Sequence, residues 1–238
     1  MRIFLGVMAA CLSTLGCGSD DGGSDGATPY NPKIDPAAFK DTVDNPLFPL
    51  VPGTTLVYKA GVTGTEEVTI QVTSDKKTIL GVTCIVVRDT ARIAGEVKED
   101  TWDWYAQDKD GAVWYMGEDT KEYSGGVVTS TEGSWEAGKD GAKPGYIIPP
   151  PDLLKPGSKY RQEYYAGHAE DYGEVLSVNA DAQVPAGNYT NCLQTHDYTP
   201  LEPAVNEQKY YCKDVGVVLS IDMVTGEREE LQPPPATP

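Results

Sequence analysis

The feature that most constrains this chain is that one half of it can be laid on the other. LVPGTTLVY, starting at Leu50, matches LLKPGSKYRQEY, starting at Leu153. VTCIVVRDT, from Val82 to Thr90, matches YTNCLQTHDYT, from Tyr189 to Thr199, and WYAQDKDGAVWYM, from Trp104, matches YYCKDVGVVLSI, from Tyr210. Gly53 falls with Gly157, Cys84 with Cys192, Tyr105 with Tyr211 and Gly111 with Gly216, in the same order and about 105 residues apart. Spacing kept in this way predicts an internal duplication, with one unit over 45–118 and a second over 153–231.

Inside each unit, VTIQVT, CIVVRDT, TWDWYAQ and VVLSI alternate, are rich in β-branched and aromatic side chains, and break at Gly, Asp and Pro. That pattern belongs to antiparallel strands. Helical spacing is confined to PAAFKDT, over 36–42. The predicted fold class is all-β: an antiparallel meander duplicated into two similar units, forming either one curved sheet that closes toward a barrel or two packed sheets.

Strand register then brings the cysteines together. If 84–90 pairs with 101–106 around a turn at Gly95, Cys84 faces Ala106, Val86 faces Trp104 and Arg88 faces Trp102. The matching hairpin, folded about Glu202, sets Cys192 opposite Cys212. Facing cysteines on adjacent strands can join in an oxidising compartment. A Cys192–Cys212 disulfide with Cys84 as a buried thiol is the expectation; the alternative is three small core residues.

The chain opens MRIFLGVMAACLSTLGC, with one charge at Arg2, an apolar run over 3–12 and small residues leading to Cys17. Residues 1–16 read as a secretory signal, the apolar run being shorter than the roughly 20 residues of a membrane span. Leu15-Gly16-Cys17 resembles the bacterial lipoprotein processing site, which implies lipid on Cys17. Gly18-Ser19, in place of aspartate, implies the outer membrane. Residues 17–44, beginning with the GSDDGGSDGA that follows Cys17, are expected to form a flexible acidic tether, and 232–238 a disordered tail. Residues 119–152 have no counterpart in the second unit. They are expected to form a Gly/Pro-rich loop, with two short strands about Gly125-Gly126 and order supplied by Trp135, Tyr146, Ile147 and Ile148.

A formal charge of −17 repels phosphate backbones and excludes nucleic acid as a partner. Asp108 and Asp110 in DKDG are the candidate metal ligands, for calcium, but the EF-hand pattern needs another acid before the glycine and a later glutamate on a helix. KDVG in the second unit keeps the glycine and loses a carboxylate, so a hairpin turn accounts for both copies and a metal site for one. No other cofactor is indicated. Glu99, Asp100, Asp103, Glu118 and Asp119 could supply a carboxylate pair for glycoside hydrolysis, yet alternation sends Asp100 and Asp103 to opposite faces. The chain has two histidines, His168 and His196, and no G-x-S-x-G elbow. Trp102 and Trp104 share a face, as core or as a platform for a sugar or lipid, with Arg88 beside Trp102 as a cation–π partner.

DWYAQDKDG with VWYMGEDTKEY, then STEGSWEAG and DGAKPG, resemble a family of secreted bacterial proteins and lipoproteins that carries no assigned function. The resemblance spans 45–231 and implies a shared fold. More loosely, P-G-T-x-x-V-Y and Y-x-x-x-x-G-V-V are similar to the half-barrel lipoprotein carriers of the bacterial envelope, which wrap a sheet around helices. The expected function is a lipid-anchored envelope module that binds or scaffolds without catalysis. Its lipid would reach the membrane, and its partner would be a small molecule, glycan, lipid or envelope protein. The expected site lies between the units, near Arg88, Trp102, Trp104, Trp135 and Arg161. Two rivals stand beside it. An envelope hydrolase acting on glycan or ester would gather Asp103, Glu118, Glu132, Glu136 and His168 in one cleft, and a lipid or lipoprotein carrier would hold a continuous apolar cavity.

Overall fold

Alternation delivers strands throughout. The computed structural model describes residues 30–61 and 65–234, so the expected signal segment and Cys17, the expected site of lipidation, lie outside the described residues. The strands are β1 (Thr55–Ala60), β2 (Glu66–Ile79), β3 (Val82–Ile93), β4 (Glu96–Gln107), β5 (Val113–Ser124), β6 (Val127–Ser130), β7 (Trp135–Glu136) and β8 (Lys143–Ile148). They continue as β9 (Lys159–Arg161), β10 (Glu163–Tyr164), β11 (Tyr172–Val184), β12 (Gly187–Tyr198), β13 (Asn206–Cys212), β14 (Gly216–Asp222) and β15 (Arg228–Leu231). The helical spacing over 36–42 yields a single 3-10 turn at Pro36–Ala38, where the Asp35 carboxylate accepts from the Ala37 N–H.

The fifteen strands of the described residues belong to one antiparallel sheet, in the order β10, β8, β5, β4, β3, β2, β1, β15, β14, β13, β12, β11, β9, with β6 and β7 also paired to β5. The sheet curves without closing into a barrel. Its two ends are nonetheless neighbours in sequence: β9 pairs with β11, β10 pairs with β8, and Gln162 alone separates them. Residues 159–164 therefore form a seam between the two edges. Gln162 donates through its side chain to Asp197 at 2.9 Å on the inner face. On the outer face the Arg161 guanidinium lies between the rings of Tyr164, at 4.4 Å, and Tyr172, at 4.2 Å. Tyr172 stacks on Tyr198, and His196 stacks on Tyr198 in turn. Tyr30 ties the seam from outside, donating its hydroxyl to the Pro144 carbonyl and accepting at its own carbonyl from Lys143.

The same local devices occur in both halves. Gly53 N–H donates to Val72 and Val72 N–H to Thr54; Gly157 N–H donates to Val175 and Val175 N–H to Ser158. The β4–β5 ladder skips Met116 beside Tyr105, and the β13–β14 ladder skips Val218 beside Tyr211, each a bulge. The turns that follow differ: Gly111 sits in the loop between Gln107 and Val113, whereas Gly216 is already in β14 opposite Cys212.

Val86 faces Trp104 and Arg88 faces Trp102, the register expected from the sequence. Cys192 and Cys212 form the disulfide between β12 and β13, with Cα atoms 4.4 Å apart as in a close antiparallel pair, and Cys84 is a buried free thiol. Burial pushes the Cys84 thiol up to about 12, which keeps it unreactive.

Two boundaries differ from expectation. Residues 30–44 are docked rather than free: Val43 is buried and bridges Leu50, and the N–H groups of Asp44 and Asn45 donate to the buried Gln107 side chain. Ile34, Phe39 and Val43 give this stretch an apolar face that GSDDGGSDGA lacks, and Phe48 follows them onto Tyr105 and Tyr211. Residues 119–152 are mostly sheet. β6 returns about Gly125-Gly126 as expected, but β8 then fills the supposed loop and pairs with both β5 and β10.

Gly145 on β8 marks the tightest contact at the seam. A Cβ there would overlap the Arg161 carbonyl oxygen and lie 2.5 Å from the Gln162 carbonyl carbon. Gly145→Ala should therefore lower stability by roughly 1–3 kcal/mol, read from the midpoint of a urea unfolding curve with unchanged slope.

Candidate functional site

Period-2 alternation sends Thr101, Asp103 and Tyr105 of β4 inward and Trp102, Trp104 and Ala106 to the other face. Asp103 directly faces Glu118 on β5, Glu118 faces Trp135 on β7, and the Trp135 indole N–H donates to Glu163 on β10 at 2.6 Å. The inner face thus gathers three carboxyl groups from three strands. Like charges directly opposite on neighbouring strands repel. The Tyr115 hydroxyl relieves Asp103 with a 2.6 Å bond, but among the described residues none donates a hydrogen bond to the Glu118 side chain.

Asp103 and Glu163 are only 2% and 4% exposed. Burial raises Glu163 to about 8 and Asp103 to about 6, the latter held down by the Tyr115 bond. Glu118 is raised well above the usual carboxylate range by burial and then by Glu163 and Asp103. At neutral pH the group keeps protons rather than carrying three negative charges.

Glu118 and Glu163 open onto a cleft of about 260 Å³, with His168, Ala169 and Asp171 on one wall, Thr199, Leu201 and Glu202 on another, and Glu132 and Gly133 beyond β6. Among the described residues, no Lys or Arg lines it. Among the described residues, no three His, Cys, Asp or Glu side chains converge closely enough to hold a metal ion.

A second polar group lies deeper. Thr195, Lys209, Ser220 and Glu229 form one buried row across β12, β13, β14 and β15. Burial lowers the Lys209 pKa, and the Glu207 and Asp197 carboxylates, each 3.2 Å from its ammonium, more than offset that and raise it. Burial above all raises the Glu229 and Asp89 carboxyl groups well above the usual carboxylate range. Alternation in NEQKYYC and REEL placed these side chains inward, a signal legible once the inner face is known.

The five residues expected to bind ligand do not assemble. Trp104 is 7% exposed beneath the Lys77 ammonium, 3.1 Å from its ring, and Lys77 in turn pairs with Glu136. Trp102 lies under Arg88, whose guanidinium makes two bonds to Asp100 at 2.7 and 2.9 Å. Arg161 is held in its tyrosine cage, and Trp135 alone, on the opposite face from Trp104, touches the cleft group through Glu163. Asp108 accepts from the N–H groups of Asp110 and Ala112 and from the Trp114 indole, which makes it the acceptor of a turn.

Of the hydrolase set, Glu118, Glu132 and His168 line the cleft, Asp103 stands behind it and Glu136 is on the other face. Among the described residues, no hydrogen bond joins any two of the five. The interior beside Phe48, Tyr58, Asp89 and Tyr105 leaves about 40 Å³, far below the roughly 300–1,000 Å³ of ordinary ligand pockets.

No family model matches the chain, and no curated protein matches it. Among solved structures it is similar to a candidate lipoprotein from Parabacteroides distasonis, with 11% sequence identity and a TM-score of 0.41 over 79% of this chain and 97% of that one. No helix among the described residues is long and apolar enough to cross a membrane.

Glu163 moves from an ordinary 4.5 in the unfolded chain to about 8 when folded. The folded protein therefore holds a proton that the unfolded chain releases, so this contribution is full below pH 4.5 and is lost as pH rises to 8. Glu163→Gln keeps an acceptor for Trp135 and removes that loss. Above pH 8 the variant should be more stable than wild type by on the order of a few kcal/mol, measured as urea midpoints across a pH series.

Proposed function

We propose that this chain is a lipid-anchored protein of the bacterial envelope that binds a small ligand in the carboxyl-lined cleft and does so without catalysis. The single observation that carries the reading is the cleft itself: about 260 Å³ of space, beside an interior otherwise filled by buried tyrosines. That volume suits a ligand somewhat smaller than those of pockets of roughly 300–1,000 Å³. It favours a small molecule over a glycan chain or envelope protein. The anchor rests on Leu15-Gly16-Cys17, and the Gly18-Ser19 that follows supports the outer membrane as its destination.

One observation favours the hydrolase of glycan or ester as a second reading. Glu163 holds its proton at neutral pH, as a general acid does. The dispersed Glu136 and the missing contacts within the expected set favour binding instead.

Native mass spectrometry tests the binding reading. Wild-type protein incubated with a small-molecule extract of bacterial envelopes should retain a ligand that the rim substitution Glu132→Trp loses. Wild-type protein that emerges unladen, or a ligand kept equally by both, would count against the cleft as the site.

A further inference from the structure

We infer that residues 163–171 form a strap along one wall of the cleft, seated through β10 on β8, that unseats when the buried carboxyl groups behind it ionise. The inference rests on the cleft reading above and adds the regulation of that site.

The strap is compact in itself and lightly attached. Beyond β10 the chain turns back on its own backbone: the Tyr165 N–H donates to the Ala169 carbonyl, and the His168 and Ala169 N–H groups donate to the Tyr165 carbonyl. The Gly167 N–H donates to the Glu170 side chain, and the Tyr165 ring stacks on His168 with centroids 4.4 Å apart. His168, Ala169 and Asp171 supply the wall. Two residue pairs seat β10 on β8, Glu163 with Pro144 and Tyr164 with Lys143, and Pro144 has no N–H to give to the ladder. The Gln162 N–H, donating to the Asp171 carbonyl, closes the base about which the strap can swing as one unit.

The seat is also where like charges would meet. Glu163 is buried, and the titratable groups on its cleft side are Asp103 of β4, Glu118 and the Tyr115 hydroxyl of β5, Asp171 ahead of β11 and His168 in the strap, with Glu99 beyond Glu118. None of the described residues supplies a cation to pair with Glu163. The charged groups on the outer side are engaged elsewhere: Arg161 with Glu170 at 3.5 Å and with the Tyr164 ring, and Lys143 with Tyr164. The Trp135 indole bond favours an ionised Glu163, but burial and then Asp171 outweigh it.

Unseating brings Glu163 into water and separates it from Asp103 and Glu118. Seated, it keeps its proton up to about pH 8; in water it loses it near 4.5. The ratio of unseated to seated strap therefore rises about tenfold per pH unit on the way to pH 8 and levels above it. While Glu163 keeps its proton, the strap stays seated and the seam opens with the sheet as a whole.

Paired spin labels at Thr131→Cys, beside the β6 rim, and Ala166→Cys, at the tip of the strap, test this in the full chain; both positions are exposed, and the parent chain labelled in parallel is the blank. Between about pH 6 and about pH 9 the distance distribution should gain a longer component, at unchanged circular dichroism. Glu163→Gln should hold the short distance at both pH values. Asp171→Asn should gain less of the long component than wild type, and Glu136→Gln, on the opposite face, should match wild type. A distribution that does not change with pH, a long component that persists in Glu163→Gln, or loss of native circular dichroism with the change would overturn the strap. The measurement needs no ligand, so its failure leaves the cleft reading to the envelope-extract experiment, which decides that reading separately.

Discussion

The bend at Gln162 lets one short segment satisfy both edges of a long sheet. Lys159–Arg161 completes the ladder on β11 and Glu163–Tyr164 completes it on β8. An open edge is a row of unpaired backbone groups that invites further pairing, and here one covalent stretch occupies both. Gly145 leaves room for the backbone to pass, while Arg161 between two tyrosine rings holds the outer side. With the edges joined, fifteen strands enclose an interior without forming a closed barrel. Tyr58, Tyr105, Tyr115 and Tyr211 fill it, and Tyr58 and Tyr115 direct their hydroxyls to Val217 and Asp103.

The seam and the buried charges belong to one network. Gln162 bonds Asp197, Asp197 pairs with Lys209, and Lys209 pairs with Glu207, so the chain of contacts runs from the seam into β12 and β13. A buried ion pair adds little net stability, because desolvation offsets the attraction. Its physical role here is to place the Lys209 ammonium beside the acceptor of Gln162. Where none of the described residues supplies a cation to pair with, as at Glu163, the carboxyl group keeps its proton. A single ionised carboxylate left unpaired in the interior costs several kcal/mol, more than neutralising it at mild pH. The cleft sits where this second solution prevails.

Much of the fold was legible in the sequence because hairpins are local. The turns at Gly95 and about Glu202 set the registers of β3 with β4 and of β12 with β13, and those registers produce the Val86–Trp104 pair and the Cys192–Cys212 bridge. KYRQEY gave no such signal: it reads as one strand, and nothing local says that its halves pair with opposite edges. Pro144 and Gly145 read as breakers, although they lie where β8 meets the seam. The site was less legible still. Three of its expected members are tryptophans, and alternation places Trp104 and Trp135 on opposite faces. The inward turn of Asp103 followed from alternation, but Glu163 arrives from the far side of the seam.

Native-state hydrogen exchange at the seam tests this account most directly. The amide of Gln162 donates to the Asp171 carbonyl at 2.8 Å, within a segment bonded on both sides. If the seam unites the sheet, the amides of residues 159–164 exchange only with global unfolding, with the same opening free energy as those of β3 and β4. Exchange of the seam amides at the rate of a fraying edge, while β3 and β4 stay protected, would contradict it.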